Sequence, residues 1–367
     1  MAKLDLSPLP KAEVIKAVER KNPARVPLVM NKWWGEGLPE QYGSRLDEWH
    51  AYPCDAYLAL FPTLRVEEMG LSWYDPSAVV AGHDARVVIP DFKHLDEFIA
   101  RLPDPQSPTL FDRNAHPSLD TSFEITKNMI VGDYHRGVQR AKKEDRYLLF
   151  GWWNLFFERP WSLRGMENLM MDYYLYPEET HRLNDAMCTL YEGYLERLAH
   201  DFAPDGFFSS DDLGNQRQLM MRPEHFREFL LPYYRRIGAA CRKHKMHFWL
   251  HSCGNNSEIL DDLIDAGLTV FHPVQKHTMD RTETARRFGD RLTFMAGVDV
   301  QQTMQTGTPD DVRQDVRELV DTFDRPDGRL ILAAGNSIVA GTPYENLTAY
   351  MNETVRYAAE HRRIMRG

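Results

Sequence analysis

A chain of 367 residues with a formal net charge of −10 and no long blocks of Lys or Arg offers little to a nucleic acid or an anionic membrane surface. Its 43% hydrophobic and 27% charged residues are those of a soluble globular protein. The amino terminus lacks the apolar core of a signal peptide, no apolar run approaches the roughly 20 residues of a membrane span, and the scattered Cys54, Cys188, Cys241 and Cys253 frame no disulfide scaffold, so a reducing cytoplasm is the expected setting.

Pro8–Lys21 reads as a first helix with Pro10 near its start. A first strand is expected over Arg25–Met30, followed by Trp33, Trp34 and Gly35. Residues 36–117 read as an irregular insertion or extension, with a short hairpin around Arg86–Pro90 and a helix over Phe92–Arg101. Ser118–Lys143 reads as one long helix. From Arg146 the rhythm is regular. Strands over Tyr147–Gly151, Gly206–Ser210, Met246–Leu250, Thr269–His272, Leu292–Ala296 and Leu330–Ala333 alternate with helices. Those helices include Gly165–Tyr174, Glu178–Phe202, Pro223–Lys245, Asn256–Ala266, Arg281–Phe288, Pro309–Phe323 capped by Thr308, and Tyr344–Arg362. Such alternation means parallel strands. The number of units favours an α/β fold closed as a (β/α)8 TIM barrel, with residues 1–367 as a single domain. No Gly-x-Gly-x-x-Gly follows a strand, so a dinucleotide crevice is unsupported.

In a barrel of this kind the chemistry sits at the carboxyl ends of the strands. Five successive predicted strands end in polar residues there: Asp211 and Asp212; His251 and Cys253; His272 and Gln275; Asp299; Asn336 and Ser337. Each has a plain structural reading. Asp211, Asp212 and Asp299 can cap helices or fill turns. His272 before a proline is more often packed or hydrogen-bonded than a ligand, Gln275 can satisfy a backbone group, and a lone Cys253 is more often an inert buried thiol. The His251-x-Cys253 pair carries more weight. Imidazole nitrogen and thiolate sulfur suit zinc, which takes typically four ligands and leaves one position open in a catalytic site. Gln275, Asp299 and Asn336 are candidates for a third ligand. Zinc also holds a bound thiol as a thiolate nucleophile, which suits transfer of a methyl group to sulfur. Without metal, Asp212 and Asp299 can act as acid and base. Trp33 and Trp34, Trp152 and Trp153, and Glu158 with Arg159 follow strands, and read either as core and surface ion pair or as the wall of a small-molecule pocket.

These motifs resemble those of the uroporphyrinogen decarboxylase superfamily, which includes the corrinoid-linked methyltransferases. The residues that carry the resemblance are Asp211–Gly214, His251–Gly254 with the following Glu258–Gly267, and Pro273–Gln275. Phe294–Asp299, Gly307–Pro309 and Pro343–Asn346 add to it, and the likeness runs from about Leu149 to the end of the chain. The resemblance implies a (β/α)8 barrel with its site at the strand carboxyl ends. In the methyltransferase branch it implies zinc held by a His-x-Cys pair plus a later cysteine, and methyl transfer between a corrinoid protein and a thiol or other acceptor. His251 and Cys253 match the pair, but Gly335, Asn336 and Ser337 stand where the later cysteine belongs. The decarboxylase branch carries arginines near the first strand for a carboxylate-rich substrate. Here Met30–Gly35 has two tryptophans and no arginine, which suits a smaller aromatic or apolar substrate.

The expected function is therefore a cytoplasmic, corrinoid-linked methyltransferase, acting by O-demethylation of a small methoxy-aromatic substrate or on a methylated cofactor. Asp212, Asp299 and Gln275 are the expected catalytic residues, Trp34, Trp153, Glu158 and Asn336 the substrate-binding ones, and His251 and Cys253 the ligands of zinc. A corrinoid protein is the expected partner and a homodimer the expected assembly. The rival readings are a metal-independent decarboxylase or lyase acting on a small acid, and a non-catalytic binding subunit.

Overall fold

A computed structural model describes residues 6–75, 87–112, 129, 130 and 132–366, the side chains of 363–366 excepted. Eight parallel strands form one curled sheet: Ala56–Leu60 (β1), Met129–Ile130 (β2), Tyr147–Trp152 (β3), Gly206–Ser210 (β4), His247–His251 (β5), Val270–His272 (β6), Thr293–Val298 (β7) and Leu330–Ala334 (β8). The order is β2-β1-β3-β4-β5-β6-β7-β8, so from β3 onward each strand lies beside the next in sequence. Helical crossovers between parallel neighbours impose that order. The architecture is an α/β barrel of the TIM type.

Alternate strand residues divide between two cores. Leu58, Leu149, Phe208, Trp249, Val270, Met295 and Ile331 point into the barrel and pack on one another. Tyr57, Phe150, Phe207, Phe248, Phe271, Phe294 and Leu332 face outward under the helices. Both faces are thus covered, and strand residues are apolar without a polar alternation. The register sets Ser210 beside His251 and His251 beside His272. The carboxyl ends of β4, β5 and β6 therefore lie at one level.

All six strands expected after residue 145 are present. The helix Pro309–Phe323 is present with a reciprocal cap, in which Thr308 accepts from the Asp311 N–H and Asp311 accepts from the Thr308 N–H. The amino-terminal half departs from expectation. Val26–Met30 makes an isolated parallel bridge, Leu28 to Leu332, rather than a ladder. Pro27 lacks the N–H a ladder strand needs, although its carbonyl accepts from Leu332. The Leu28 carbonyl accepts from the Asp55 N–H, so this segment runs between β8 and the entry to β1. The stretch read as irregular contains β1, whose five residues are all buried. Within Ser118–Lys143, expected as one long helix, the described residues hold a helix over Tyr134–Lys143, where the Asp133 side chain accepts from the Arg136 N–H. It follows β2, and residues 118–128 lie outside the described residues. The hairpin around Arg86–Pro90 lies partly outside them too, and Val87–Pro90 is not a strand. A short helix not expected from the sequence, Glu158–Arg164, follows β3. Among the described residues no helix is long and apolar enough to cross a membrane.

Candidate active site

Two consecutive acids leave β4 and do different work. Asp211 is fully buried and accepts from the N–H groups of Phe156, Phe157 and Glu158 and from the Tyr234 hydroxyl, at 2.7–3.1 Å. It caps the helix Glu158–Arg164, at the end where a helix favours negative charge. Burial pushes its carboxyl up, and those donors pull it back. Asp212 faces the other way, with 37% of its side chain exposed. Its Oδ1 accepts from the Cys253 N–H at 2.8 Å and lies 3.6 Å from His251 Nε2.

The division predicts opposite phenotypes. Asp211→Ala leaves buried donors unpaired and is expected to cost at least ~3 kcal/mol of folding stability in denaturant titration. Asp212→Ala is expected to cost about 1 kcal/mol or less. Equal losses would show that the cap does not distinguish the two acids.

Glu158 is 7% exposed and accepts from the Ser210 hydroxyl at 2.9 Å. Burial, and then the charges of Asp212 and Asp211, push its carboxyl up to about 8, so it keeps its proton at neutral pH.

The loop after β5 is built around close backbone contact. Gly254 has φ +82°, and a Cβ there would lie 2.2 Å from the Gly214 backbone. Only glycine lets this loop and the loop after β4 approach so closely. That approach brings Asp212 to Cys253. The Gln275 side-chain oxygen accepts from the Gly254 N–H at 2.7 Å, and the Asn256 amide donates to the carbonyls of Ser252, Cys253 and Gly254. Gln275, expected as catalytic, is thus placed as a brace of the loop.

His251 Nε2 lies 3.4 Å from Cys253 Sγ, and its Nδ1 lies 2.7 Å from His272 Nδ1. Burial pulls the His251 imidazole down to about 4 and His272 well below the ordinary histidine value, so both are neutral at pH 7. Burial, and then the charge of Asp212, push the Cys253 thiol up. The ligand atoms of Asp212, His251 and Cys253 all lie within 4.8 Å of one another. Among the described residues the carboxylate of Asp212, which was expected only as an acid or base, joins the imidazole and the thiol as a third atom able to ligate a metal. Asn336 does reach the cluster: its Nδ2 lies 3.4 Å from Cys253 Sγ, while its Oδ1 accepts from the Ser337 N–H.

Asp299 is placed as a cap. It accepts from the N–H groups of Gln301, Gln302 and Thr303 and from the Thr303 hydroxyl, and lies 3.4 Å from His277 Nε2. Burial works against ionisation, but the donors of Thr303 and Gln301 outweigh it and hold the carboxyl below its ordinary value. A carboxyl held so is a poor proton donor.

The aromatic wall is Trp33 with Trp153. Their rings stack at 5.8 Å with 23° between planes, and both meet the His251 ring edge-on, at 5.6 and 6.3 Å. Trp34, expected at this wall, is 6% exposed and packs in the outer core, its backbone bridging Ile338. Trp152 is likewise core. In each Trp pair one residue goes to the core and its neighbour to the wall.

In sequence, the uroporphyrinogen decarboxylase (URO-D) family model matches residues 159–357, more than half of the chain. No curated protein matches it. Among solved structures the fold is similar to that of a methyltransferase from Methanosarcina mazei, with TM-score 0.64 and 15% identity over 95% of this chain and 98% of that one. A B12-independent methionine synthase from Shewanella sp. is more distant, with TM-score 0.44 and 12% identity over 62% of this chain and 66% of that one. The matched residues include Asp212, His251, Cys253 and Asn336, and the chain belongs to the uroporphyrinogen decarboxylase family.

Proposed function

We propose that this chain is a methyltransferase of the family, with zinc held by Asp212, His251 and Cys253. Its substrate would be a small methoxylated aromatic or similar methylated compound, and a corrinoid protein the other party to the transfer. The observation that carries the reading is the convergence of one oxygen, one nitrogen and one sulfur atom to within 4.8 Å. That donor set suits zinc and leaves a fourth position for substrate. Zinc bound there would hold an acceptor thiol as its thiolate or polarise an oxygen as a Lewis acid. The residues around it fit the task. His251 is neutral at pH 7, so ligation by its nitrogen displaces no proton. The Asp212 carboxylate and the Asn336 amide orient Cys253, the first through its N–H and the second at its sulfur. Trp33 and Trp153 offer an apolar surface for an aromatic ring beside His251. As the methyl group forms its bond to the acceptor, the donor atom keeps the electron pair of the broken bond. Glu158, still protonated, is the group suited to supply a proton to that atom. The tryptophans of Met30–Gly35, in place of arginines, suit a substrate with few carboxylates.

Zinc-reconstituted protein tests the reading with two mixtures: methylcobalamin with small thiols, and cob(I)alamin with methoxybenzoates. Zinc-dependent change in the cobalamin spectrum in either is the expected result. Zinc-independent release of carbon dioxide from a small aromatic acid, without methyl transfer, would replace this reading by a decarboxylase.

A further inference from the structure

His272 ends β6 with 1% of its surface exposed, and it is not among the three groups that converge as metal ligands. Its Nε2 lies 2.9 Å from the carbonyl oxygen of Ala334 at the end of β8. A carbonyl oxygen only accepts, so the hydrogen of a neutral His272 sits on Nε2. Its Nδ1 is then a bare lone pair. The atom 2.7 Å away, His251 Nδ1, must donate to it. A neutral imidazole carries one hydrogen, so His251 Nε2 is left with its lone pair. That lone pair lies 3.4 Å from Cys253 Sγ and 3.6 Å from Asp212 Oδ1.

We propose that His272 is a positioning residue that sets the tautomer of His251 by relaying the Ala334 carbonyl, so that Nε2 faces the Asp212–Cys253 cluster as a ready metal ligand. The inference rests on the metal reading of that cluster, but the tautomer is a property of the metal-free protein. The partner of a ligating imidazole nitrogen commonly fixes ring orientation and ligand strength. Here three strands share the arrangement, with His251 from β5, His272 from β6 and the carbonyl from β8. Trp33 packs against both rings, edge-on to His251 at 5.6 Å and tilted to His272 at 6.2 Å.

Imidazole nitrogen NMR on metal-free protein tests the relay directly. The expected spectrum has His251 protonated at Nδ1 and bare at Nε2. A wild-type His251 protonated at Nε2 would overturn the proposal, whatever metal the protein binds. Zinc titration of the folded variants is the second arm. His272→Leu is expected to weaken zinc binding ~10–100-fold. His272→Asn, whose side-chain oxygen can accept near the position of Nδ1, is expected to recover most of that loss. Wild-type zinc binding with an unaltered His272→Leu affinity would sink the relay and leave the metal site standing. A wild type that binds no zinc, yet shows the expected tautomer, would sink the metal reading of the cluster instead.

Discussion

Cys253→Ser is expected to strip the protein of its zinc. The wild-type chain, purified without chelators, should retain about one zinc ion, lost only to strong competitors. A serine hydroxyl stays protonated near neutral pH and is a hard, weak ligand, which leaves only the His251 imidazole and the Asp212 carboxylate. The loss of affinity should exceed the ~10–100-fold that removing a ligand's hydrogen-bond partner typically costs. The thiol, pushed up by burial and by Asp212, must also release its proton on binding, so wild-type affinity should rise with pH across the neutral range. Asn336→Cys, handled under reducing conditions, should move affinity the other way, because residue 336 already touches Cys253 Sγ. Elemental analysis and chelator competition read all three proteins. Equal zinc retention by wild type and Cys253→Ser would place the metal elsewhere.

Glu158→Gln is expected to stabilise the metal-free protein at alkaline pH and to disable the enzyme. In the fold this carboxyl is raised from its ordinary 4.5 to about 8. Below 4.5 it is protonated in both the folded and the unfolded chain. Between these values the unfolded chain releases the proton and the folded chain keeps it, so unfolding becomes easier as pH rises. The stability in question is fully present below 4.5 and is lost as pH climbs through about 8. The loss is on the order of a few kcal/mol. Glutamine has no proton to lose, so the urea midpoint of the variant should gain on that of the wild type as pH rises from 5 to 9. The comparison belongs to metal-free protein, because a nearby cation would pull Glu158 down. If Glu158 delivers the proton to the leaving atom, the variant's kcat should drop ~10²–10⁴-fold. Parallel stability curves for the two proteins would show that the buried proton lies elsewhere.

The carboxyl-terminal two thirds were legible because each strand is a short apolar run fenced by helix signals. Thr308 and Pro309 mark a helix start as plainly in sequence as in structure. β1 was not legible, since Ala56–Leu60 is a brief unbroken apolar run amid prolines and acids, with no alternation to set it apart. Val26–Met30 looked like a strand and has the apolar character of one, but Pro27 limits its pairing to a bridge. At the site, the chemistry of the His251-x-Cys253 pair was readable from residue types alone. The choice between Asp211 and Asp212, and between Trp33 and Trp34, was not. Adjacent residues point opposite ways, and the direction of either depends on which neighbour it finds. For Asp211 that neighbour is the end of a helix that begins at Glu158, far away in sequence.

Residue chemistry and the spacing of apolar runs were enough to determine a parallel barrel and to single out the His251-x-Cys253 pair. Tertiary structure alone decided that Asp212 joins His251 and Cys253, that Asp299 is spent on a helix cap, and that Glu158 is buried beside two acids. The physical reason is that convergence and burial are long-range properties. Ser210 stands beside His251 only because β4 and β5 pair in that register; burial with two acids alongside keeps a proton on Glu158, and burial takes one from His251.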